Sequence, residues 1–223
     1  MDEIRIATGL AEVPSMSLHE SQSRFYENII GRSKEFLSVI LPTLKEKFPQ
    51  LVDIDVDKLY KAVNKVEPSL IRTEADELTY SLHIIIRYEI EKQLINGEIS
   101  VAELPEVWNK KYKEYLGIEP KNDAEGVLQD MHWSDGSFGY FPSYALGNLY
   151  ACQMLNTMLK ENSTALTDLK SGDLTYINNW LSDNVHKYGS LYDSEELLEK
   201  VTGEELNPKY FIDYLNKKYK DIY

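Results

Sequence analysis

Apolar side chains recur three and four residues apart along most of the chain, which is the spacing of helices that bury one face. Across residues 18–48 this spacing passes through Pro42, which predicts a helix kinked or split at the proline. The strongest pattern covers residues 73–96, where aliphatic residues form one stripe and Gly97 ends the helix. Further helices are predicted over residues 57–66, 100–116, 143–160, 173–186, 194–201 and 207–218. No segment shows the sustained alternation of a strand. The sequence therefore predicts an all-α fold.

Residues 118–142 interrupt this helical pattern with five glycines and prolines and four large aromatic side chains, Trp133, Phe138, Tyr140 and Phe141. Something must bury so many aromatic rings, so we predict that this loop has a function. We expect Asp130 to fix the tautomer of His132. A histidine and a tyrosine on such a loop can donate hydrogen bonds to a developing oxyanion.

The charge balance argues against a nucleic-acid partner. The 37 acidic residues outnumber the 24 Lys and Arg, which gives a formal charge of −13, whereas nucleic-acid binding needs a basic surface. Cys152 is the only cysteine, so it can form no disulfide within the chain and no four-thiolate zinc site. The first ten residues lack the apolar core of a signal peptide, and no apolar run is long enough to cross a bilayer. We predict a soluble, cytoplasmic protein with no membrane partner.

Lone histidines are more often structural than catalytic, and His83 and His186 are interpreted in that way. Arg72 precedes a segment that resembles a capped helix start with acidic residues in its first turn. Spacing by itself assigns no chemistry to these residues.

Three segments of the sequence resemble motifs of the Taq-type thermostable metallocarboxypeptidases, and their order and separations along the chain resemble those of the family as well. His19–Arg24 (HESQSR) is similar to the motif that supplies the family's third zinc ligand. Ile71–Asp76 (IRTEAD) and Gly126–Trp133 (GVLQDMHW) are similar to two further family motifs. The similarity covers nearly the whole chain. It implies the mostly helical, bundle-like half of a cleft-containing zinc peptidase, a homodimer that releases C-terminal amino acids from peptides.

The resemblance also implies roles for individual residues. Glu20 would be the third zinc ligand, and Arg72 would bind the terminal carboxylate of the peptide substrate. His132 would bind the peptide or polarise its carbonyl group, with Tyr140 or Tyr144 assisting. The metal of the complete enzyme would be zinc or cobalt. Glu20, Arg72 and His132 should then face one cleft.

The chain departs from the family in one respect that concerns the metal. The family's other two zinc ligands and its general base lie in a His-Glu-x-x-His helix, and this motif occurs nowhere in the sequence. We therefore expect residues 1–223 to form a single region that corresponds to the C-terminal portion of a larger enzyme. The chain by itself should hold zinc weakly or not at all and be inactive, unless a separate chain supplies that helix. The alternative is a non-catalytic helical relic or interaction module in which the same residues maintain the fold.

Overall fold

The computed structural model describes residues 6–223, and within them it contains nine α-helices and no strand, which confirms the all-α prediction. A π-helical segment, Phe25–Gly31, follows the first α-helix directly. The α-helices are α1 Met16–Arg24, α2 Lys34–Lys47, α3 Val56–Val63, α4 Glu77–Ile95, α5 Leu104–Leu116, α6 Pro142–Glu161, α7 Thr175–Asn184, α8 Ser194–Thr202 and α9 Lys209–Lys220. None of the described helices is long and apolar enough to cross a membrane.

The predicted split at Pro42 is wrong, because α2 continues through this residue, whereas a kink there stays a prediction. The chain breaks instead at Ser33, whose backbone is extended and whose hydroxyl accepts the N–H of Phe36 at 3.1 Å. Ser33 is thus the N-cap from which α2 begins. Burial of Leu37 and Leu41 stabilises α2 across the proline.

The described chain divides into two compact units. The smaller unit is Asn64–Ala145 and contains α4, α5 and the loop between α5 and α6. The larger unit contains α1 to α3, α6 from Leu146 onward, and α7 to α9.

The core of the smaller unit lies between α4 and α5. Asp76 caps α4, because its carboxylate accepts the N–H of Thr79 at 2.8 Å, so the helix begins at Glu77 rather than at the predicted residue 73. Gly117 ends α5 with a left-handed backbone, φ 73°. The side chains buried between the two helices are Ile86, Ile90, Trp108, Tyr112 and Leu116.

The larger unit has its own core, in which side chains of the π-helical segment and of α6 and α7 are fully enclosed. Among them are Phe25, Met154, Met158 and Leu181. Cys152 is buried in this core, where cysteine packs as a small apolar residue.

Candidate functional site

Arg72 and Asp130 form a buried ion pair in the smaller unit, joining two of the three sequence motifs. Nη2 of Arg72 donates to Oδ1 of Asp130 at 2.7 Å, and Nε donates to both carboxylate oxygens at 3.1 and 3.2 Å. Nη1 donates to the hydroxyl of Tyr80 at 2.9 Å. The Arg72 side chain is 7% exposed and that of Asp130 is 10% exposed. The Ile71–Asp76 and Gly126–Trp133 motifs therefore meet through a fork of charged hydrogen bonds.

A second arginine that the sequence analysis missed binds the same carboxylate. Arg87 on α4 is 0% exposed, and its Nε donates to Oδ2 of Asp130. Its Nη1 donates to the carbonyl oxygen of His83 and to the hydroxyl of Tyr112, each at 3.0 Å, and its guanidinium lies 4.6 Å from the Trp108 ring centre. Arg87 directly follows the apolar run 84–86 of α4, and this position was the available signal, because fully buried arginines are almost always paired.

The cluster of Arg72, Arg87 and Asp130 holds two guanidinium groups and one carboxylate. Burial raises the pKa of Asp130, but the hydrogen bond from Arg72 and the charges of both arginines outweigh burial and hold that pKa below its ordinary value. Asp130 is thus ionised at neutral pH. We refer to these three residues as the arginine cluster, and its formal charge is +1.

The expectation that Asp130 fixes the tautomer of His132 is wrong. The nearest approach, from Oδ1 of Asp130 to Nδ1 of His132, is 3.8 Å, which is too long for a hydrogen bond. The reason is competition, since the two arginines already engage both oxygens of this carboxylate.

His132 instead binds Tyr144, as Nε2 of the imidazole lies 3.0 Å from the tyrosine hydroxyl. The imidazole packs 4.4 Å from the ring centre of Phe141 and 5.5 Å from that of Tyr140. Burial lowers the pKa of His132, so the ring is neutral at pH 7. The ring of Tyr144 also lies 4.6 Å from the guanidinium carbon of Arg72. The structure therefore brings together Arg72, His132, Tyr140 and Tyr144.

Glu91 on α4 anchors the loop that carries His132. Its carboxylate is 8% exposed and accepts the indole N–H of Trp133 at 2.7 Å and the backbone N–H of Gly139 at 2.5 Å. Glu91 and Trp133 lie 42 positions apart in the chain. Helical spacing relates residues only three or four positions apart, so it could not predict this contact. This contact explains how a loop rich in glycine and aromatic residues keeps one conformation.

His83 also lies beside the arginine cluster, and its interpretation as a structural residue agrees with its position. The ring is 0% exposed and Nδ1 lies 3.1 Å from the hydroxyl of Tyr112. Burial, together with the positive charges of Arg87 and Arg72, lowers the pKa of His83 to about 3. The ring is neutral at any physiological pH.

Glu20 belongs to the larger unit, on α1. The hydroxyl of Ser23 donates to its Oε2 at 2.9 Å. The backbone of α1 at Glu20 lies so close to Gly147 on α6 that a Cβ atom there would stand 2.8 Å from Cβ of Glu20. Gly147 thus permits the close helix contact that places Glu20. Because Arg72 and His132 belong to the smaller unit, their convergence with Glu20 on one cleft stays a prediction.

The described residues do not complete a metal site. Within residues 6–223, no group of three or more His, Cys, Asp or Glu side chains is arranged to hold a metal ion. A catalytic zinc ion needs three protein ligands, and the role of Glu20 as one of them stays a prediction.

The larger unit also contains a pocket of about 840 Å³ with a nearly balanced charge. Five lysines and four carboxylates line it, and two of the lysines, Lys34 and Lys209, pair with Asp57 and Asp213. This balance points to no class of ligand, in contrast to the arginine cluster.

Comparison with known proteins defines the class as helical metallopeptidases. The family model described as Carboxypeptidase Taq (M32) metallopeptidase matches residues 1–219. The chain is 50% identical to Carboxypeptidase 1 of Bacillus subtilis over 224 residues, which is 100% of the chain and 45% of that protein. The crystal structure of M32 carboxypeptidase from Deinococcus radiodurans R1 is 37% identical, with a TM-score of 0.91 over 95% of this chain and 43% of that one. The Pyrococcus furiosus carboxypeptidase structure is 41% identical, with a TM-score of 0.90 over 93% and 42%.

The chain belongs to the M32 family of Taq-type carboxypeptidases. It spans less than half the length of the relatives that it matches. The resemblance based on three short motifs is thereby confirmed for the family, and the chain is a partial-length member.

Proposed function

We propose that this chain supplies the part of a metallocarboxypeptidase that binds the substrate's C-terminal carboxylate, together with one zinc ligand. The observation that carries the proposal is the formal charge of +1 on the buried arginine cluster. An excess charge in a poorly hydrated place favours a bound counter-ion. The terminal carboxylate of a peptide is an anion of the required kind, and the substrates of the M32 family fit this chemistry.

Arg72 is the cluster member suited to that carboxylate. Its hydrogen bonds to Asp130 and Tyr80 engage one N–H of each nitrogen, so each terminal nitrogen keeps a second N–H. Two N–H groups on one rigid plane match the two oxygens of a carboxylate. Asp130 and Tyr80 hold the plane in position before the substrate arrives.

His132 is suited to the carbonyl group of the scissile peptide. When the hydroxyl of Tyr144 donates to Nε2, the proton of the neutral imidazole lies on Nδ1 and can be donated to a carbonyl oxygen. Packing against Phe141 and Tyr140 fixes the ring plane. Tyr144 and Tyr140 thereby assist through His132.

Glu20 would serve as a single zinc ligand, with the remaining ligands supplied by a separate polypeptide that carries the His-Glu-x-x-His helix. Zinc, or cobalt in its place, would act as a Lewis acid on the peptide carbonyl and on water. The described residues do not complete that site. We propose that the assembled enzyme is a homodimer.

Reconstitution tests this proposal. The chain is co-expressed with the part of the Bacillus subtilis relative that it does not match, and release of the C-terminal amino acid from an N-blocked dipeptide is measured. We expect release from the pair and from neither polypeptide separately. Glu20→Ala and Arg72→Gln should abolish release, whereas Glu12→Ala, an exposed carboxylate near α1, should not.

The same experiment evaluates the alternative of a non-catalytic relic or interaction module. A stable complex of the two polypeptides with no peptidase activity, at saturating zinc, would favour that alternative.

A further inference from the structure

Arg87 contributes to the charge of the arginine cluster, but the proposed function assigns it no contact with the substrate, although it is the most deeply buried charge of the smaller unit. Its exposure is 0%, and a guanidinium so placed loses its hydration, which is unfavourable unless other groups compensate it. Asp130 supplies part of that compensation, and Nη2 of Arg87 has no hydrogen-bond partner among residues 6–223. The contacts of Arg87 therefore offset only part of the free energy that is lost when its guanidinium is removed from water.

The hydrogen bonds indicate how the buried charge of Arg87 affects the ion pair of Arg72 and Asp130. Without Arg87, Asp130 would neutralise Arg72 completely, and a neutral pair offers little attraction to a second carboxylate. With Arg87 on Oδ2, Asp130 is shared between two cations. Arg72 is then held by a carboxylate whose charge another residue also balances.

We infer that Arg87 is a positioning residue that keeps the arginine cluster cationic, so that Arg72 binds a substrate carboxylate while it stays locked to Asp130. This inference rests on the proposed function. Arg87 contacts no substrate itself and acts through Asp130.

Packing around Arg87 is consistent with a fixed charge. Its guanidinium lies 4.6 Å from the ring centre of Trp108 and 5.6 Å from that of Phe141. The faces of aromatic rings stabilise a cation without adding a negative charge. The neighbouring His83 is neutral, because its pKa is lowered to about 3. The surroundings therefore hold the charge of Arg87 without cancelling it.

The test compares Arg87→Gln, which removes the charge, with Arg87→Lys, which keeps the charge and loses the fork. Lys92→Gln is the matched control, because it removes an exposed cation from the same helix. The probe is an N-acetyl dipeptide, titrated as the free acid and as the C-terminal amide and followed by NMR. Circular dichroism verifies that each variant is folded.

We expect the purified chain to bind the acid in preference to the amide. Arg87→Gln should lose about tenfold in affinity for the acid and leave the amide unchanged. Arg87→Lys and Lys92→Gln should stay within about threefold of the original affinity. A purely structural role predicts instead that Lys and Gln impair binding alike, since both lose the fork.

The pKa of His132, measured by NMR, is a second readout that needs no ligand. Asp130, Arg72, Arg87 and Asp135 are the charges that act on this ring. Loss of one positive charge should raise the pKa of His132 in Arg87→Gln and leave it unchanged in Arg87→Lys and Lys92→Gln.

The two proposals fail in different ways. If the chain does not distinguish the acid from the amide, the proposed carboxylate site is wrong, while the His132 pKa still reports whether Arg87 sets the charge of the cluster. If the chain prefers the acid and folded Arg87→Gln binds it equally well, the role of Arg87 is overturned and the proposed function stands. Should Arg87→Gln not fold, a tenfold loss of affinity in folded Arg87→Lys overturns the role of Arg87, and retained affinity supports it.

Discussion

The two units carry their candidate site residues in different ways. In the smaller unit, Arg72 and Asp130 are tied to each other and to Arg87 by contacts that span 43 to 58 positions of the chain. In the larger unit, Glu20 accepts a hydrogen bond from Ser23, three positions away, and its backbone packs against Gly147. The comparison teaches that the residues for which we propose carboxylate binding are linked to one another within one unit. No comparable group of three or more metal-ligating side chains occurs among residues 6–223.

The largest effect is expected from Asp130→Asn. This change leaves Arg72 and Arg87 buried without their shared counter-charge, which should cost about 3–5 kcal/mol of stability. Urea denaturation followed by tryptophan fluorescence measures the loss. Asp135→Asn removes an exposed carboxylate from the same loop and should cost less than about 0.5 kcal/mol. A loss below about 1 kcal/mol for Asp130→Asn would mean that the arginine cluster is not the preassembled element we describe.

Gly147→Ala should have the next largest effect, and it acts on the larger unit. Alanine is the better helix former by about 1 kcal/mol, so propensity favours the change. The new Cβ would stand 2.8 Å from Cβ and 2.9 Å from the carbonyl carbon of Glu20, and this backbone contact forces α1 to move. We expect a net loss of about 1–2 kcal/mol in thermal denaturation, whereas Asn156→Ala on the same helix should change little. Stabilisation by Gly147→Ala would contradict the close contact.

Measurements of stability at several pH values test whether His83 of the smaller unit is buried in its neutral form. The pKa of His83 is about 3 in the folded chain and about 6.5 in the unfolded chain, so the unfolded chain binds more protons between these values. Stability should therefore fall as the pH drops from about 6.5 towards 3, by up to about 1.4 kcal/mol per pH unit from this residue. Urea denaturation at several pH values should show a shallower fall for His83→Asn than for the unchanged chain. An unchanged slope would show that His83 is not buried in its neutral form.

The smallest effect is expected from Ser23→Ala. Its hydroxyl bonds to Glu20 at the surface, so the loss should stay below about 0.5 kcal/mol, and carboxylate binding by the smaller unit should not change. Calorimetry and the dipeptide titration measure both quantities. A larger loss would indicate that Glu20 is as firmly held by its own unit as Arg72 is.

Helical periodicity predicted the fold class and most helices, but it could not decide which apolar residues are buried. On α4 the stripe correctly included Ile86 and Ile90, which are 0% exposed. It also included Leu78 and Ile85, which are 41% and 39% exposed. Helical spacing describes one face of an isolated helix, whereas burial depends on what packs against the other faces.

The residues of the candidate site could be predicted where they lie in or near the family motifs. Arg72, His132 and Tyr144 lie in or beside family motifs, and the structure brings them together. Arg87 and Glu91 lie outside those motifs and contact Asp130, Trp133 and Gly139, which are 42 to 48 positions away, so no local pattern reveals these contacts. The same competition among distant partners explains why Asp130 binds arginines rather than His132.

The most direct test of the central claim is the zinc content and peptidase activity of the purified chain without a second polypeptide. Because no group of three or more His, Cys, Asp or Glu side chains among residues 6–223 is arranged to hold a metal ion, we expect no stoichiometric zinc after dialysis and no release of amino acids from an N-blocked dipeptide. The preference for a free C-terminal carboxylate should persist in the same metal-free sample. One tightly bound zinc per chain together with steady C-terminal trimming would contradict the account.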